Sequence, residues 1–374
     1  MKRKMKEIGL IICLMAMLTG CWDRQEFTAI SFATAMAIDY GEQGYDVTVK
    51  VVMPKNFATD KAATPDWIMQ GRGNTLQSAL QDLDMRTPRK IYWGHVKTLI
   101  LGNGVLKQGC LKILEDLSGV NDFGLHTAVV GTKERGDEIL KTVTDLSQVD
   151  NFYLYNLIKG TDEAYKGSMV MVKDLLVKSH YAGKCVYLPC VMLEKETFSA
   201  TDKKNGNESD KKMLVLSAGV VLKDGKIAWQ ADENFDKGYR WVKSEIKNDI
   251  LVLNLGEEKI AFQIVDTQNK MLWNIKEGKI CLQIKGRANL AEDSEDILRE
   301  EEMEKLENRI NREIEKIVTE SVIQAKLHNS DVFEVLQWQK IFMNGNGMNA
   351  EMEFQDVPIM IDANIQLKPR RLAD

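Results

Sequence analysis

Residues 293–328 read DSEDILREEEMEKLENRINREIEKIVTESVIQAKLH and predict one long helix. Apolar or small side chains recur at helical spacing along this stretch, while Glu, Lys and Arg crowd the opposite face. The apolar stripe consists of Leu306, Ile310, Ile314, Ile317, Ser321 and Ala325. A helix with one apolar face has to bury that face, so we expect this helix to lie on a sheet.

The sheet is expected from strands on both sides of the helix. Residues 357–367 have an apolar side chain at every second position, which predicts a strand that covers one face of the helix. Further strands are predicted at residues 214–222, 226–230, 249–255, 259–265 and 279–285. Asp224-Gly225 marks a hairpin between the first two of them. The C-terminal half is therefore predicted to be α+β, an antiparallel or mixed sheet packed by one long helix.

The N-terminal half alternates strands with helices. Strands are predicted at residues 45–53, 96–101 and 125–130, and helices at residues 76–83, 111–117, 134–143 and 169–179. Interleaving of this kind is typical of an α/β or α+β layer, so the predicted class of the whole chain is mixed α/β.

Polar stretches suggest the domain limits. Residues 196–212 (ETFSATDKKNGNESDKK) are charged and rich in Gly, Asn and Ser, which predicts a linker or loop. It separates an N-terminal α/β region, residues 21–195, from a C-terminal α+β domain, residues 213–374. A second polar stretch, residues 56–74, would divide the N-terminal region into two subdomains.

The N-terminus has the features of a lipoprotein signal peptide, residues 1–20. Four basic residues precede an apolar run at residues 8–18, and Leu18, Thr19, Gly20 and Cys21 form a lipobox. The run covers about 11 residues, whereas a membrane-spanning helix needs roughly 20, so we expect a cleaved signal. Lipid on Cys21 would then anchor the mature chain to the membrane. The alternative is an ordinary secretory signal with a chance cysteine at the cleavage site.

The charge of the mature chain restricts its partners. The chain has 50 basic and 55 acidic residues, and residues 1–20 hold four of the basic ones and one of the acidic ones. The remainder therefore has a formal charge of about −8, which argues against nucleic acid or an anionic membrane surface as the main partner.

The cysteines and histidines give no clear reactive site. Besides Cys21, the mature chain has Cys110, Cys185, Cys190 and Cys281, for which structural or free thiols are the favoured interpretation. A disulfide between Cys185 and Cys190 is an alternative. A metal site that includes His180 is the least favoured one, because the C-x₄-C spacing has no second pair. The histidines, His95, His126, His180 and His328, are scattered singly and are interpreted as packed or surface residues.

No enzyme motif stands in a suitable setting. Residues 219–226 (GVVLKDGK) resemble a phosphate-binding loop, but the gap is one residue too long and Ile227 stands where Ser or Thr would hold magnesium. They fit the hairpin better. No G-x-S-x-G, H-E-x-x-H or S-x-x-K occurs at a plausible place. We therefore predict no enzymatic activity and no cofactor.

Several stretches resemble one protein family. Gly20-Cys21-Trp22-Asp23-Arg24 resembles the start of the Ger(x)C family, the lipoprotein C subunits of spore germinant receptors. Other blocks agree in order with that family: Trp93-Gly94-His95-Val96-Lys97, Pro189 as the proline that opens the next strand, residues 218–226, and residues 320–333 (ESVIQAKLHNSDVF). Beyond Asp331 the chain departs from the family, because the usual glycine and proline-tryptophan segment is replaced by Glu334-Val335-Leu336-Gln337-Trp338.

This resemblance implies a three-domain mixed α/β body without enzymatic activity. It also implies integral-membrane partners, the germinant receptor A and B subunits, and a position on the outer face of the spore inner membrane. Trp22, Asp23 and Arg24 would lie beside the bilayer, where they could contact a partner or serve as a spacer. A solute-binding lipoprotein of a transporter is the alternative, although two similar lobes are not evident in the sequence. A lipid-anchored hydrolase is disfavoured, because no nucleophile and base are recognisable.

Overall fold

The computed structural model describes residues 30–52, 67–146, 152–160, 169–195, 212–243, 246, 249–255, 258–274, 276–290, 300–345 and 352–368. Ten strands form the first sheet: β1 (Ile30–Gly41), β2 (Gly44–Val52), β3 (Trp67–Gly73), β4 (Lys90–Tyr92), β5 (Thr98–Leu101), β6 (Ala128–Thr132), β7 (Val170–Met171), β8 (Cys185–Lys195), β9 (Lys212–Lys223) and β10 (Lys226–Gln230). The helices that accompany them are α1 (Leu76–Met85), α2 (Asn103–Gln108), α3 (Leu111–Ser118), α4 (Gly136–Leu146), α5 (Tyr153–Lys159) and α6 (Val172–Lys178).

The second sheet has four strands, β11 (Asp249–Leu255), β12 (Glu258–Asn274), β13 (Lys279–Leu290) and β14 (Ile359–Lys368), in that spatial order. Its helices are α7 (Glu233–Lys243), α8 (Glu300–Leu327) and α9 (Val335–Gly345). Short 3-10 turns lie at Trp93–His95 and Phe354–Asp356. The predicted mixed α/β class with a C-terminal sheet packed by one long helix is confirmed.

The first sheet has a parallel centre. The spatial order is β10-β9-β8-β6-β5-β1-β2-β3, with β4 beside β1 and β7 beside β6. Strands β1, β5, β6 and β8 run parallel to their neighbours within this group, and the outer strands are antiparallel. Every residue of β5 and β6 is buried, as expected for parallel strands that are covered on both faces.

Long helix α8 packs along the second sheet and also covers its edge. Ile310, Ile314 and Val318 are fully buried on the face that the sequence predicted. On the neighbouring face, Glu307, Asn311 and Glu315 accept hydrogen bonds from the backbone N–H groups of Leu367, Ile365 and Ala363, at 2.7, 2.7 and 3.2 Å. These acceptors stand four residues apart on the helix, so their spacing matches the spacing of every second N–H group along β14. The helix therefore satisfies donors that an edge strand would otherwise leave unpaired.

Several elements differ from the sequence predictions. The hairpin predicted at residues 214–230 is present, but its strands β9 and β10 extend the first sheet through pairing with β8. Residues 67–73 lie inside the polar stretch 56–74, which predicts a break between subdomains, but they form β3 and pair with β2. Pro189 lies within β8 at a shift of register, because proline cannot donate a backbone hydrogen bond to the ladder. Residues 196–211 lie outside the described range, and the domain limit there stays a prediction.

A buried aromatic cluster joins the two sheets. Phe235 of α7 contacts Trp229 of β10 at a ring-centroid distance of 4.7 Å and Tyr187 of β8 at 5.7 Å. Tyr239 of α7 lies 4.5 Å from Tyr187, and Phe333, which follows α8, lies 5.9 Å from Tyr239. Helix α7 is thus packed between the first sheet and the second, and the hydrophobic core continues through it.

Charged residues surround the same junction. The Asp331 carboxylate accepts hydrogen bonds from the backbone N–H groups of Val335 and Leu336, at 2.9 and 2.7 Å, and so caps the start of α9. Glu334 forms ion pairs with Lys178 of α6 at 2.9 Å and with Lys243 of α7 at 3.0 Å. Burial disfavours the charge of Glu334, but the two lysines outweigh it and lower the pKa of this carboxyl. One acid therefore links helices from both halves of the chain.

We expect Asn311→Ala to destabilise the protein by about 1–3 kcal/mol, because the N–H group of buried Ile365 loses its acceptor. Asn308→Ala is the matched control, since Asn308 is exposed on the same helix and should change stability by less than about 0.5 kcal/mol. Urea unfolding of both variants measures the difference. Equal effects would contradict the role of helix α8 at this edge.

Stability should also depend on the protonation of Asp331. Burial raises the pKa of this carboxyl from 3.8 to about 6, so the native state binds a proton more readily than the unfolded chain does. Its contribution to stability is then fully present below about pH 4 and is lost as the pH rises through about 6. Asp331→Asn removes this titration. The unfolding free energy of the wild type minus that of the variant should fall by roughly 3 kcal/mol between about pH 4 and pH 7. A difference that stays constant over that range would contradict the assignment.

Candidate functional site

The predicted anchor residues precede the part of the chain that the structure describes. Leu18, Thr19, Gly20 and Cys21 lie outside the described residues, as do Trp22, Asp23 and Arg24, because the description begins at Ile30. No helix within the described ranges is both long and apolar enough to cross a membrane. Lipid attachment at Cys21 and partner contact at residues 22–24 stay predictions.

The described part of the chain begins with β1, which lies in the middle of the first sheet. Ile30 lies opposite Lys90 of β4, and Phe32 lies opposite Tyr92. Eight residues separate Cys21 from Ile30, so the Cα atoms of these two residues can be at most about 30 Å apart. Whatever lies beside the start of β1 is therefore close to the predicted lipid.

Parallel strands bring several loops to this end of the sheet, since β1, β5 and β6 all begin there. The backbone N–H of Lys97 donates to the carbonyl of Thr34 at 2.9 Å, and the N–H of Ala128 donates to the carbonyl of Lys97 at 2.9 Å. The hydroxyl of Thr127 donates to the carbonyl of Val96 at 2.9 Å. The Trp93–Lys97 block and the residues before β6 are thus fixed side by side.

We name this end of the sheet the N-terminal pole and define it by nine residues: Phe32, Trp67, Arg89, Lys90, Tyr92, His95, Lys97, Leu125 and His126. The ring of Phe32 meets those of His95 and Tyr92 edge-on, at centroid distances of 4.9 and 5.8 Å. Trp67 and Leu125 are large apolar residues that remain 49% and 41% exposed, respectively. Trp93, by contrast, is buried beneath the pole.

The pole carries positive charge. Lys90 and Lys97 are exposed, and neither forms an ion pair with another described residue. Asp84 is near enough for the charge of Lys90 to act on it, although burial dominates and raises the pKa of Asp84. The Nη1 atom of Arg89 is buried and has no hydrogen-bond partner within the described part of the chain.

A groove of about 540 Å³ lies between β8, β9 and helix α7. Three of the charged groups that line it, Asp232, Asp236 and Arg240, pair with one another or with the backbone. Asp236 accepts a hydrogen bond from the Tyr187 hydroxyl at 2.7 Å and pairs with Arg240 at 3.1 Å. Asp232 accepts from the N–H of Phe235 at 2.7 Å. These side chains therefore stabilise the junction of the two sheets, and the other charged residues that line the groove are Lys133, Glu194, Glu233 and Lys237.

The remaining cysteines are buried free thiols. Cys185 and Cys190 stand five residues apart on one strand, a separation of about 16 Å that no disulfide can span. Burial raises the pKa of the Cys185 thiol to about 11 and those of Cys110 and Cys190 to about 12, so none of these three is a thiolate at neutral pH. Within the described ranges no cluster of His, Cys, Asp or Glu could hold a metal ion.

The histidines differ in their surroundings. His328 stacks on Trp229 at 4.6 Å, and the Nδ1 atom of His180 lies 3.0 Å from the carbonyl oxygen of Leu176. His95 packs against the aromatic side chains of the pole. These three positions agree with the prediction that the histidines are packed or surface residues.

Comparison with known proteins supports one family. Residues 23–193 match the family described as "Spore germination protein N-terminal domain", and residues 217–368 match "Spore germination B3/ GerAC like, C-terminal". Spore germination protein KC of Bacillus subtilis (strain 168) is 20% identical over 349 residues, which cover 88% of this chain and 86% of that protein. Spore germination protein B3 of the same organism is 24% identical over 103 residues, 27% of each chain.

The fold agrees with these matches. The crystal structure of the GerBC protein superposes with a TM-score of 0.53 at 13% identity, covering 90% of this chain and 98% of that one. The two family matches follow one another in the same order as the two sheets and together span most of the chain. The chain therefore belongs to the GerAC/GerKC family of spore germination proteins.

Proposed function

We propose that this chain is the lipid-anchored C subunit of a nutrient germinant receptor. In this role it acts in spore germination by assembling with integral-membrane A and B subunits, and lipid on Cys21 holds it to the outer face of the spore inner membrane. The observation that carries the proposal is the match of both family domains, in order, behind a complete lipobox.

The proposed role is interaction and not catalysis. In the groove beside α7, Asp232, Asp236 and Arg240 are paired internally, and the described cysteines of the body are buried thiols. The alternative of a solute-binding lipoprotein finds no support in the architecture, because a ten-stranded sheet and a four-stranded sheet are not two similar lobes. Trp22, Asp23 and Arg24 are proposed as the first contact with a membrane partner, since they directly follow the lipidated residue.

The receptor role can be tested by deletion. A strain without this protein should sporulate normally and lose germination to one nutrient pathway, while a trigger that bypasses the receptors should still act. Germination is measured against a panel of nutrients in a strain that holds no redundant receptor. Normal germination to every nutrient would overturn the proposal.

The anchor is tested separately by complementing that strain with Cys21→Ala. This variant should escape lipoprotein processing, leave the membrane fraction and fail to restore germination, because the acceptor of the lipid is gone. Cys281→Ala is the matched control, since it makes the same substitution at a buried free thiol of the body and should restore germination. Mass spectrometry of the purified wild type should show lipid on Cys21; an unmodified N-terminus, or cleavage elsewhere, would contradict the anchor.

A further inference from the structure

We propose that the N-terminal pole is a membrane-docking face that binds the anionic headgroups of the bilayer to which the chain is tethered. This inference rests on the proposed lipid at Cys21 and adds to it a second, non-covalent contact made by the folded body. It assigns a role to the Trp93–Lys97 block, which the proposed function leaves unexplained.

The tether places the pole near the bilayer. The described residues begin at Ile30, and Cys21 is at most about 30 Å from it along the eight connecting residues. Tyr92 pairs directly with the first residues of β1, so the pole is attached to the start of β1 without an intervening hinge. The lipid therefore keeps this end of the sheet close to the membrane surface.

The charge of the pole suits an anionic surface. The mature chain as a whole is acidic, which argues against such a surface as a partner for the average face of the molecule. Lys90 and Lys97 are nevertheless exposed at the pole, and Arg89 holds a buried guanidinium nitrogen there without a hydrogen-bond partner among the described residues. The positive charge of Lys90 acts on the nearby carboxyl group of Asp84. Basic residues beside a bilayer that contains anionic lipids are attracted to it within a Debye length.

The apolar residues of the pole suit the interfacial region of a bilayer. Trp67 begins β3 and Leu125 precedes β6, so they flank the start of β1 on opposite sides, roughly 20 Å apart by strand spacing. Phe32 and Tyr92 lie between them. Aromatic side chains with exposed edges are favoured at headgroup depth, and bordering lysines keep their charge in water. A lipid surface matches this mixture of flanking apolar residues and exposed lysines.

The test uses the full mature chain with Cys21→Ser, so that no covalent lipid contributes to binding. Vesicles of phosphatidylcholine alone and of phosphatidylcholine mixed with phosphatidylglycerol are floated with the protein. We expect binding to the mixed vesicles only, with an affinity that falls as salt rises. The double variant Lys90→Glu/Lys97→Glu should bind at least about tenfold more weakly.

The matched control is Lys270→Glu/Lys285→Glu, which makes the same change of net charge at exposed lysines of the second sheet and should bind like the parent chain. Circular dichroism of all variants confirms that they fold. No binding by the parent chain, equal binding to both vesicle types, or equal loss in the control would each overturn the proposal.

A protein partner at the pole gives a different result. If Lys90→Glu/Lys97→Glu abolishes germination in spores while vesicle binding is unchanged by it, the pole contacts a receptor subunit and the lipid proposal is wrong. These outcomes do not depend on the Cys21→Ala experiment. Failure of the docking face and failure of the anchor are therefore distinguishable.

Discussion

Burial of the Phe235 side chain is the interaction on which the arrangement of the molecule depends. Its ring is fully buried and contacts side chains from the first sheet, from its own helix and from the segment after α8. Each aromatic ring of such a cluster removes about 150–250 Å² of surface from water. The free energy gained by this burial exceeds that of surface ion pairs, so such pairs could not compensate for the loss of the cluster. Side chains from β8, β9 and β10 of the first sheet therefore belong to the same core cluster as the second sheet and helix α7.

This shared core explains why the ion pairs at the junction are ordered. Lys178 and Lys243 are the last residues of α6 and α7, and Glu334 directly precedes α9, so the apolar packing of these helices fixes the positions from which the pairs form. Pairs that are preorganised and partly desolvated retain more of their Coulomb energy than exposed ones. Domains within one chain usually move relative to each other unless their interface is large and apolar, and this interface has that character.

The sequence predicts the elements whose pattern is local. Helix α8 and strand β14 were recognised because one apolar face of each is buried and the other is not. Strand β1 was not predicted, since it is buried on both faces and therefore shows no alternation. Helix α7 was not predicted, because it is short and polar on average, although its buried residues Phe235, Tyr239 and Val242 recur at helical spacing. The pairing of β9 with β8 joins segments whose partners no periodicity can identify.

The same distinction holds for the functional residues. The lipobox is contiguous, so it can be recognised from the sequence alone. The N-terminal pole comes from strand beginnings and loops far apart in the chain, and only the spatial order of β3, β1, β5 and β6 brings them to one end. The net charge of the whole chain also conceals the pole, because its few basic residues are outnumbered by acidic residues elsewhere in the sequence.

The pairing of β8 with β9 has a consequence for the segment that joins them. Lys195 and Lys212 are register partners on adjacent antiparallel strands, so residues 196–211 leave and rejoin the sheet at one place. A backbone cut between them would leave both fragments held by ten ladder partners and by the common core, and the nicked protein would still sediment as one particle. Lengthening a segment between two such fixed ends adds only about 0.6 kcal/mol for each doubling. A reporter domain or an epitope could therefore be carried at this position without displacing either sheet.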